Sequence, residues 1–329
     1  MSNSSASKPH KLKKIALEEH FMLPEFVEYF TPNKQTVSHD LYYSALKALG
    51  DFGDRRIELM DKNGIDYVVL SLSGPGVQIE FHTDVAIRLA RKANDDLAAQ
   101  IHKRPDRYGG FAHLPMQAPE VAADELERCM RQLNFQGALI NGHTNGIYLD
   151  DPQYDVFWER ACALEAPIYL HPVCPLDRPA MYDGHPEMWG PTNSWAAETS
   201  AHALRLVFSG VFDRFPGLQI ILGHMGETLP IQMWRLDSRY AVANRRFEIR
   251  KTPSDYIRSN IKITTAGVCA DAALRCSIDA VGLESVMFSI DHPFESTEIA
   301  SKWMDSAKLT DDEREKVAHS NAERILKLL

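Results

Sequence analysis

The 329-residue chain lacks the signals that mark several protein classes. Its five cysteines (Cys129, Cys162, Cys174, Cys269, Cys276) are odd in number and scattered, with no Cys-x-x-Cys pair. That excludes a thiolate zinc site and a dithiol redox motif, and it fits a reduced, cytoplasmic setting. No run approaches the roughly 18 apolar residues of a membrane span. Residues 1–13, rich in Ser and Lys, have no apolar stretch of the kind a secretory signal needs and read as a disordered tail. Basic residues are in the minority, 36 Lys+Arg against 45 Asp+Glu, and the formal net charge of −9 leaves no electrostatic footprint for nucleic acid and none for an anionic membrane. A Gly-rich nucleotide fingerprint is missing after the first strand candidate, and Gly74-Pro75-Gly76 has neither the spacing nor the lysine of a phosphate loop. A small-molecule partner is what these absences leave.

What is present is ordinary globular composition, 25% charged and 44% hydrophobic, with a regular alternation of short β-branched runs and longer helix-period segments. Strands are expected over 15–21, 65–71, 108–114, 137–141, 167–171, 218–224, 261–265 and 285–290. Helices are expected over 55–63, 85–104, 120–134, 154–164, 195–215, 229–244, 270–280, 298–306 and 313–327. Gly64, Pro105 and Pro216-Gly217 punctuate the helix ends. Eightfold strand–helix alternation in one chain of this length implies an α/β fold, a single (β/α)8 TIM-type barrel over residues 14–329.

Metal-type ligands and acids stand where apolar runs end. Glu18 and His20 are two residues apart in Ile15-Ala16-Leu17-Glu18-Glu19-His20-Phe21, so a strand directs both to one side. His171 closes Ile168-Tyr169-Leu170-His171, His224 follows Ile220-Ile221-Leu222-Gly223, and Asp291 follows Met287-Phe288-Ser289-Ile290. Barrel enzymes carry chemistry at the C-terminal ends of their strands, which is where all five fall. Glu18, His20, His171 and Asp291 form a mixed oxygen and nitrogen set suited to one divalent ion, Zn²⁺ or Mn²⁺. Strand four ends Ala138-Leu139-Ile140-Asn141 and offers no lysine to bridge a second ion. Glu227, three residues after His224, is placed to fix that imidazole's tautomer or raise its pKa, which assigns His224 to proton handling rather than ligation. Arg235 reads either as a helix-surface residue paired with Asp237 or as an anion clamp.

These motifs, with Met233-Trp234-Arg235, Asp291-His292-Pro293-Phe294-Glu295 and the terminal Asn321-Ala322, resemble the metal-dependent amidohydrolase superfamily in its branch of nonoxidative aromatic-acid decarboxylases. The likeness is to the γ-resorcylate (2,6-dihydroxybenzoate) and 2,3-dihydroxybenzoate enzymes and runs from about Lys14 to Leu329. It implies that Glu18, His20, His171 and Asp291 hold the metal, that His224 assists proton transfer, and that Arg235 helps hold substrate. It also implies a homodimer or homotetramer. His292, where relatives commonly carry Trp or Tyr, and a short segment over 141–153 depart from the pattern near the barrel mouth.

The expected activity is therefore metal-dependent decarboxylation of an ortho-hydroxybenzoate-type acid, Asp291 protonating the ring before carbon dioxide leaves. The alternative is a metal-dependent hydrolase of a lactone or amide, with Asp291 deprotonating water; Glu18 in place of the first histidine of a His-x-His pair disfavours it. Met181, Tyr182, Met188, Trp189 and Trp195 form an aromatic segment that either roofs the pocket or meets a second copy.

Overall fold

A computed structural model describes residues 12–328. The expected tail over 1–13 lies, apart from Leu12 and Lys13, outside those residues; Lys13 pairs with Glu323 at 2.6 Å. The eight strands are β1 (Ile15–Phe21), β2 (Tyr67–Leu72), β3 (Tyr108–Gly110), β4 (Ala138–Asn141), β5 (Pro167–His171), β6 (Gln219–Leu222), β7 (Ile261–Thr264) and β8 (Val286–Met287). All neighbours pair in parallel, in two ladders of order β1-β2-β3 and β4-β5-β6-β7-β8.

Two short seams join the ladders into a ring. Ala112, just past β3, bridges Ala138, with the Ala112 N–H donating to the Gly137 carbonyl at 2.9 Å. On the other side Glu19 bridges His292, the His20 N–H donating to the His292 carbonyl at 2.8 Å and the Asp291 N–H to the Glu18 carbonyl at 3.0 Å. The barrel expected from the strand–helix alternation is the fold observed, and its second seam runs through three of the candidate ligands.

The helices are α1 (His39–Leu49), α2 (Asp54–Asn63), α3 (Thr83–Lys103), α4 (Pro119–Gln132), α5 (Asp155–Ala163), α6 (Ser194–Phe208), α7 (Val211–Arg214), α8 (Leu229–Tyr240), α9 (Pro253–Asn260), α10 (Asp271–Val281), α11 (Thr297–Ser306), α12 (Asp311–Glu315) and α13 (Asn321–Ile325). Period 3.6 explains the long ones: α3 buries Ala86, Leu89, Ala90, Ala93 and Leu97 on one stripe. Four segments differ from expectation. The 195–215 segment is two helices, because Gly210 takes a left-handed φ of 73° between them. The 313–327 segment is interrupted by a π-helical turn at Lys316–Ser320. Helices α1 and α9 were not expected; each is short and opens on an N-cap, Ser38 accepting from the Leu41 N–H and Thr252 from the Asp255 N–H.

Strand alternation sorts the core into two shells. Leu17, Val69, Phe111, Leu139, Tyr169, Ile221 and Met287 fill the barrel interior, closed at the bottom by Ala322 and Leu326. Neighbours such as Val68, Leu70, Ile140, Ile168, Ile220 and Ile263 face the helices. Asn321 holds the closing α13 in place, its side-chain amide donating to the Leu283 and Val286 carbonyls.

Candidate metal centre

In β1 the pairing with β2 slips between Ala16 and Glu19. Leu17 thus packs inside the barrel while Glu18, its neighbour, still turns to the same interior, one residue beyond what strict alternation allows. The Glu18 N–H donates to Ser289 Oγ at 2.6 Å, and Glu19, facing the other way, accepts from the Ile290 N–H at 3.0 Å. Backbone and side chain together register β1 against the segment that carries Asp291.

The five candidate groups converge. His171 Nε2 lies 3.4 Å and His224 Nε2 3.9 Å from Glu18 Oε1. Asp291 brings Oδ1 within 3.3 Å of His20 Nε2 and Oδ2 within 3.6 Å of His224 Nε2. The rings of His20 and His171 meet edge to face at 4.9 Å. Glu18, His20 and His171 offer one ligand atom each within 4.8 Å of one another, as do Glu18, His224 and Asp291.

Two buried atoms here, Glu18 Oε1 and His20 Nε2, have no hydrogen-bond partner among the described residues. Leaving such groups unpaired costs about 1–3 kcal/mol each, more where charge is involved, so their convergence on one point is the signature of an electrophile. The outer atoms of the same side chains are fixed. Ser71 Oγ contacts His20 Nδ1 at 3.1 Å, the Pro172 carbonyl accepts from His171 Nδ1 at 2.9 Å, and the Tyr169 hydroxyl donates to Glu18 Oε2. Each imidazole is thereby held with its Nε2 lone pair aimed inward, the orientation a ligating imidazole needs. The residues present fit a divalent cation. Gly223 is part of the cradle, since a Cβ there would stand 2.5 Å from Glu18 Oε2.

Electrostatics separate the roles. Burial pushes the Glu18 carboxyl up to about 7 despite the opposing charge of His224, and burial takes His171 down to about 3, an imidazole that stays neutral. His224 goes the other way: burial opposes its charge, but the charges of Glu18 and Glu227 and the contact with Asp291 outweigh it and hold the imidazole well above the usual range. Its Nδ1 is 2.9 Å from Glu227 Oε1. Burial raises Asp291, yet its contacts with His20 and His224 win and keep the carboxyl below the usual carboxylate range. This environment favours the protonated imidazole, whose Nε2 faces Asp291 Oδ2 at 3.6 Å. His224, Glu227 and Asp291 all adopt positive φ, 50°, 57° and 77°, a region that costs non-glycine residues about 1–3 kcal/mol and concentrates at functional sites.

The cluster lies at the floor of a cavity of about 370 Å³. Its walls are mostly apolar, with Val37, Leu41, Ile79, Trp189, Trp195 and Phe294 among them, and among the described residues no Lys or Arg lines it. Trp189 and Trp195 of the aromatic segment are therefore roof, with Trp195 Nε1 donating to Cys174 Sγ at 3.1 Å, whereas Met181 is exposed. The wall from Pro32 to Leu41 comes from the stretch leading into α1, which the sequence reading left unassigned. Tyr169 was missed as well, although its i, i+2 spacing to His171 on one strand was a readable signal.

Two expectations are corrected. Arg235 does not reach this cavity within its chain; it is exposed on α8 and lines a separate surface groove with Arg205, Arg239 and Tyr240. His292 does not border the cavity either: its ring faces outward among Glu19, Arg56 and Thr297, so the departure there does not bear on substrate shape.

Comparison with known proteins places these features. The amidohydrolase family model matches residues 25–328. A γ-resorcylate decarboxylase of Rhizobium sp. (strain MTP-10005) is 43% identical over 324 residues, spanning 96% of this chain and 98% of its own. The crystal structure of 2,6-dihydroxybenzoate decarboxylase complexed with 2,6-dihydroxybenzoate superposes with a TM-score of 0.91 at 42% identity, covering 96% of this chain and 99% of the other. A dihydroxybenzoic acid decarboxylase of Polaromonas sp. JS666, solved with bound manganese and the inhibitor 2-nitroresorcinol, superposes at 0.90 with 42% identity, covering 96% and 97%.

Proposed function

The chain belongs to the amidohydrolase family, and from that premise we propose that it is a metal-dependent carboxy-lyase releasing carbon dioxide from an ortho-hydroxybenzoate-type acid, 2,6-dihydroxybenzoate being the first candidate. The observation that carries this reading is a cavity sized for one aromatic ring, without Lys or Arg, whose floor holds a buried acid–imidazole cluster with two unpaired ligand atoms. Among the described residues an anionic benzoate meets no Lys or Arg in this cavity; it faces the carboxyls of Asp291 and Glu295, with the His224 imidazole between the acids of the floor. A bound cation would supply, beyond His224, the positive charge that makes this acid-lined floor attractive to it. Glu18, His20, His171 and Asp291 would hold the ion, Mn²⁺ in preference to Zn²⁺ given the manganese in the Polaromonas relative. Bound there, it supplies charge neutralisation for the carboxylate and a neighbouring ring oxygen.

The chain's own residues supply the proton. Expelling carbon dioxide first would leave an aryl carbanion, so the ring carbon bearing the carboxylate must be protonated before its bond breaks. His224 carries the proton at rest, anchored at Nδ1 by Glu227, and hands it from Nε2 across to Asp291, which faces the substrate. Ring protonation, rupture of the carbon–carboxylate bond and return of that electron pair to the ring then restore aromaticity, one proton being consumed per turnover. Trp189, Trp195 and Phe294 pack the ring and exclude water.

We further propose a cytoplasmic homodimer or homotetramer. Among the described residues no helix is long and apolar enough to cross a membrane. The outer face of α8 exposes Ile231 and Trp234, each at 81%, a surface suited to a second copy. The test of the function is turnover of a hydroxybenzoate panel by manganese-loaded protein in D₂O. Carbon dioxide release with deuterium on the carbon that carried the carboxylate, abolished in Asp291→Asn, is the expected result. Inert hydroxybenzoates together with lactone opening that incorporates solvent ¹⁸O would make the protein a hydrolase.

A further inference from the structure

A carboxylate and one ortho oxygen held at the cluster leave the second ortho position of the ring, on the other side of the carboxylate, to meet the cavity wall. The polar side chains of that wall are mostly spent within the chain. Asn33 Nδ2 donates to the Gly74 carbonyl at 3.1 Å, and Thr36 Oγ1 donates to the Asn33 carbonyl at 3.0 Å. His143 Nδ1 accepts from the Gly146 N–H at 3.1 Å, so the proton is on Nε2, which donates to the Cys174 carbonyl at 3.1 Å. Trp195 Nε1 is taken by Cys174 Sγ. Gln35, Trp189 and Glu295 are accessible to solvent and need no substrate to satisfy them.

Ser73 is different. It is 3% exposed and lines the cavity, and among the described residues its hydroxyl has no hydrogen-bond partner. Strand alternation explains the placement. Ser71, in register with His20, turns inward to contact His20 Nδ1, and Ser73, two residues on, faces the same way about 6–7 Å nearer the barrel mouth. Its backbone is pinned, the Ser73 N–H donating to the Phe21 carbonyl at 2.9 Å while the next carbonyl, that of Gly74, accepts from Asn33. In the ring of eight strands β2 stands opposite β6, so Ser73 faces His224 across the mouth. A neighbouring unpartnered oxygen, Asn141 Oδ1, is closed off: it is buried, and the Cβ position of Gly74 lies 2.6 Å from it.

We propose that Ser73 is a specificity-determining residue that hydrogen-bonds the second ortho oxygen of the ring, which sets the substrate class as 2,6-dihydroxybenzoates rather than benzoates with one ortho hydroxyl. A single ortho oxygen belongs at the cluster with the carboxylate, and Ser73 then faces a ring C–H with its hydroxyl unpaired in a covered site. A second ortho hydroxyl meets it. Discrimination of this kind exceeds what lost contact area gives, because the wrong ligand leaves a buried polar group without a partner.

The proposal rests on the decarboxylase reading, and the experiment separates the two. Manganese-loaded wild type and Ser73→Ala are compared for metal content, thermal midpoint and kcat/KM on 2,6-dihydroxybenzoate and 2-hydroxybenzoate. Calorimetry measures binding of an unreactive pair, 2-nitroresorcinol and 2-nitrophenol, which differ by the same hydroxyl. Wild type should prefer the dihydroxy member of each pair. In Ser73→Ala that preference should shrink by about tenfold in kcat/KM and in Kd, the loss falling on the dihydroxy member, with metal content unchanged. Equal losses on both members, an unchanged preference, or a wild type that prefers the monohydroxy acid would each overturn it. A wild type inert toward every hydroxybenzoate would sink the decarboxylase reading, and the nitro pair would still decide whether Ser73 reads the second hydroxyl; binding of neither nitro compound would then overturn both.

Discussion

Metal affinity should depend on pH through one carboxyl. Glu18 must lose its proton before Oε1 can ligate, and in the metal-free site burial holds that proton on up to about pH 7. His171, at about 3, has nothing to lose above pH 5, and Asp291 is already ionised. The perturbation is simply the pH at which metal-free protein is titrated with Mn²⁺. Glu18 is protonated in about nine-tenths of molecules at pH 6 and about one-tenth at pH 8, so the apparent affinity should rise about tenfold between them, near 1.4 kcal/mol, and level off above. Calorimetry in buffers of differing ionisation enthalpy should count about one proton released per ion at pH 6 and few at pH 8. An affinity flat from pH 6 to 8, with no proton release at pH 6, would refute the assignment of Glu18 as a buried, protonated ligand. An affinity that fell with rising pH would refute its sign.

Removing ligands singly tests the set: Glu18→Ala, His20→Ala and His171→Ala should each lose most bound metal by elemental analysis while circular dichroism stays that of the folded barrel. Gly223→Ala should lower metal content too, because the new Cβ displaces Glu18 Oε2. His224→Asn should keep its metal but lose about 10²–10⁴ in kcat, as follows from the proposed role of that residue in handling the proton rather than the ion. Glu198→Gln should stabilise the fold at neutral pH. The folded pKa of about 8 lies above the ordinary 4.5, so the group's stability contribution is fully present below about 4.5 and lost as pH rises through about 8. At pH 7 proton uptake costs on the order of 3 kcal/mol that glutamine avoids, so the thermal midpoint of Glu198→Gln should exceed wild type at pH 7 and converge with it near pH 4.5.

Local patterns in the chain determine more of this protein than its length suggests. Period-two runs and helix punctuation suffice to place all eight strands and the barrel, because each strand's alternation is dictated by which face it buries. Glu18, His20, His171, His224 and Asp291 are legible for the same reason: strand ends in a barrel share one rim, so position in the repeat stands in for position in space. Glu227 is legible because three residues is within side-chain reach of His224.

Tertiary structure decided the rest. Whether Arg235 and His292 face the cavity depends on helix rotation and on the turn after β8, neither of which leaves a periodic trace. The slip between Ala16 and Glu19, which lets Leu17 and Glu18 share the interior, comes from pairing with β2 and with the segment around Ser289, more than 270 residues away in sequence. The cavity wall from Pro32 to Leu41 and the hydrogen bonds of Thr228 to Ser200 likewise join segments that carry no mark of one another. Sequence periodicity encodes which face of an element is buried; what that face meets is set by long-range packing, and the geometry of the acid–imidazole cluster and the shape of the cavity depend on the meeting.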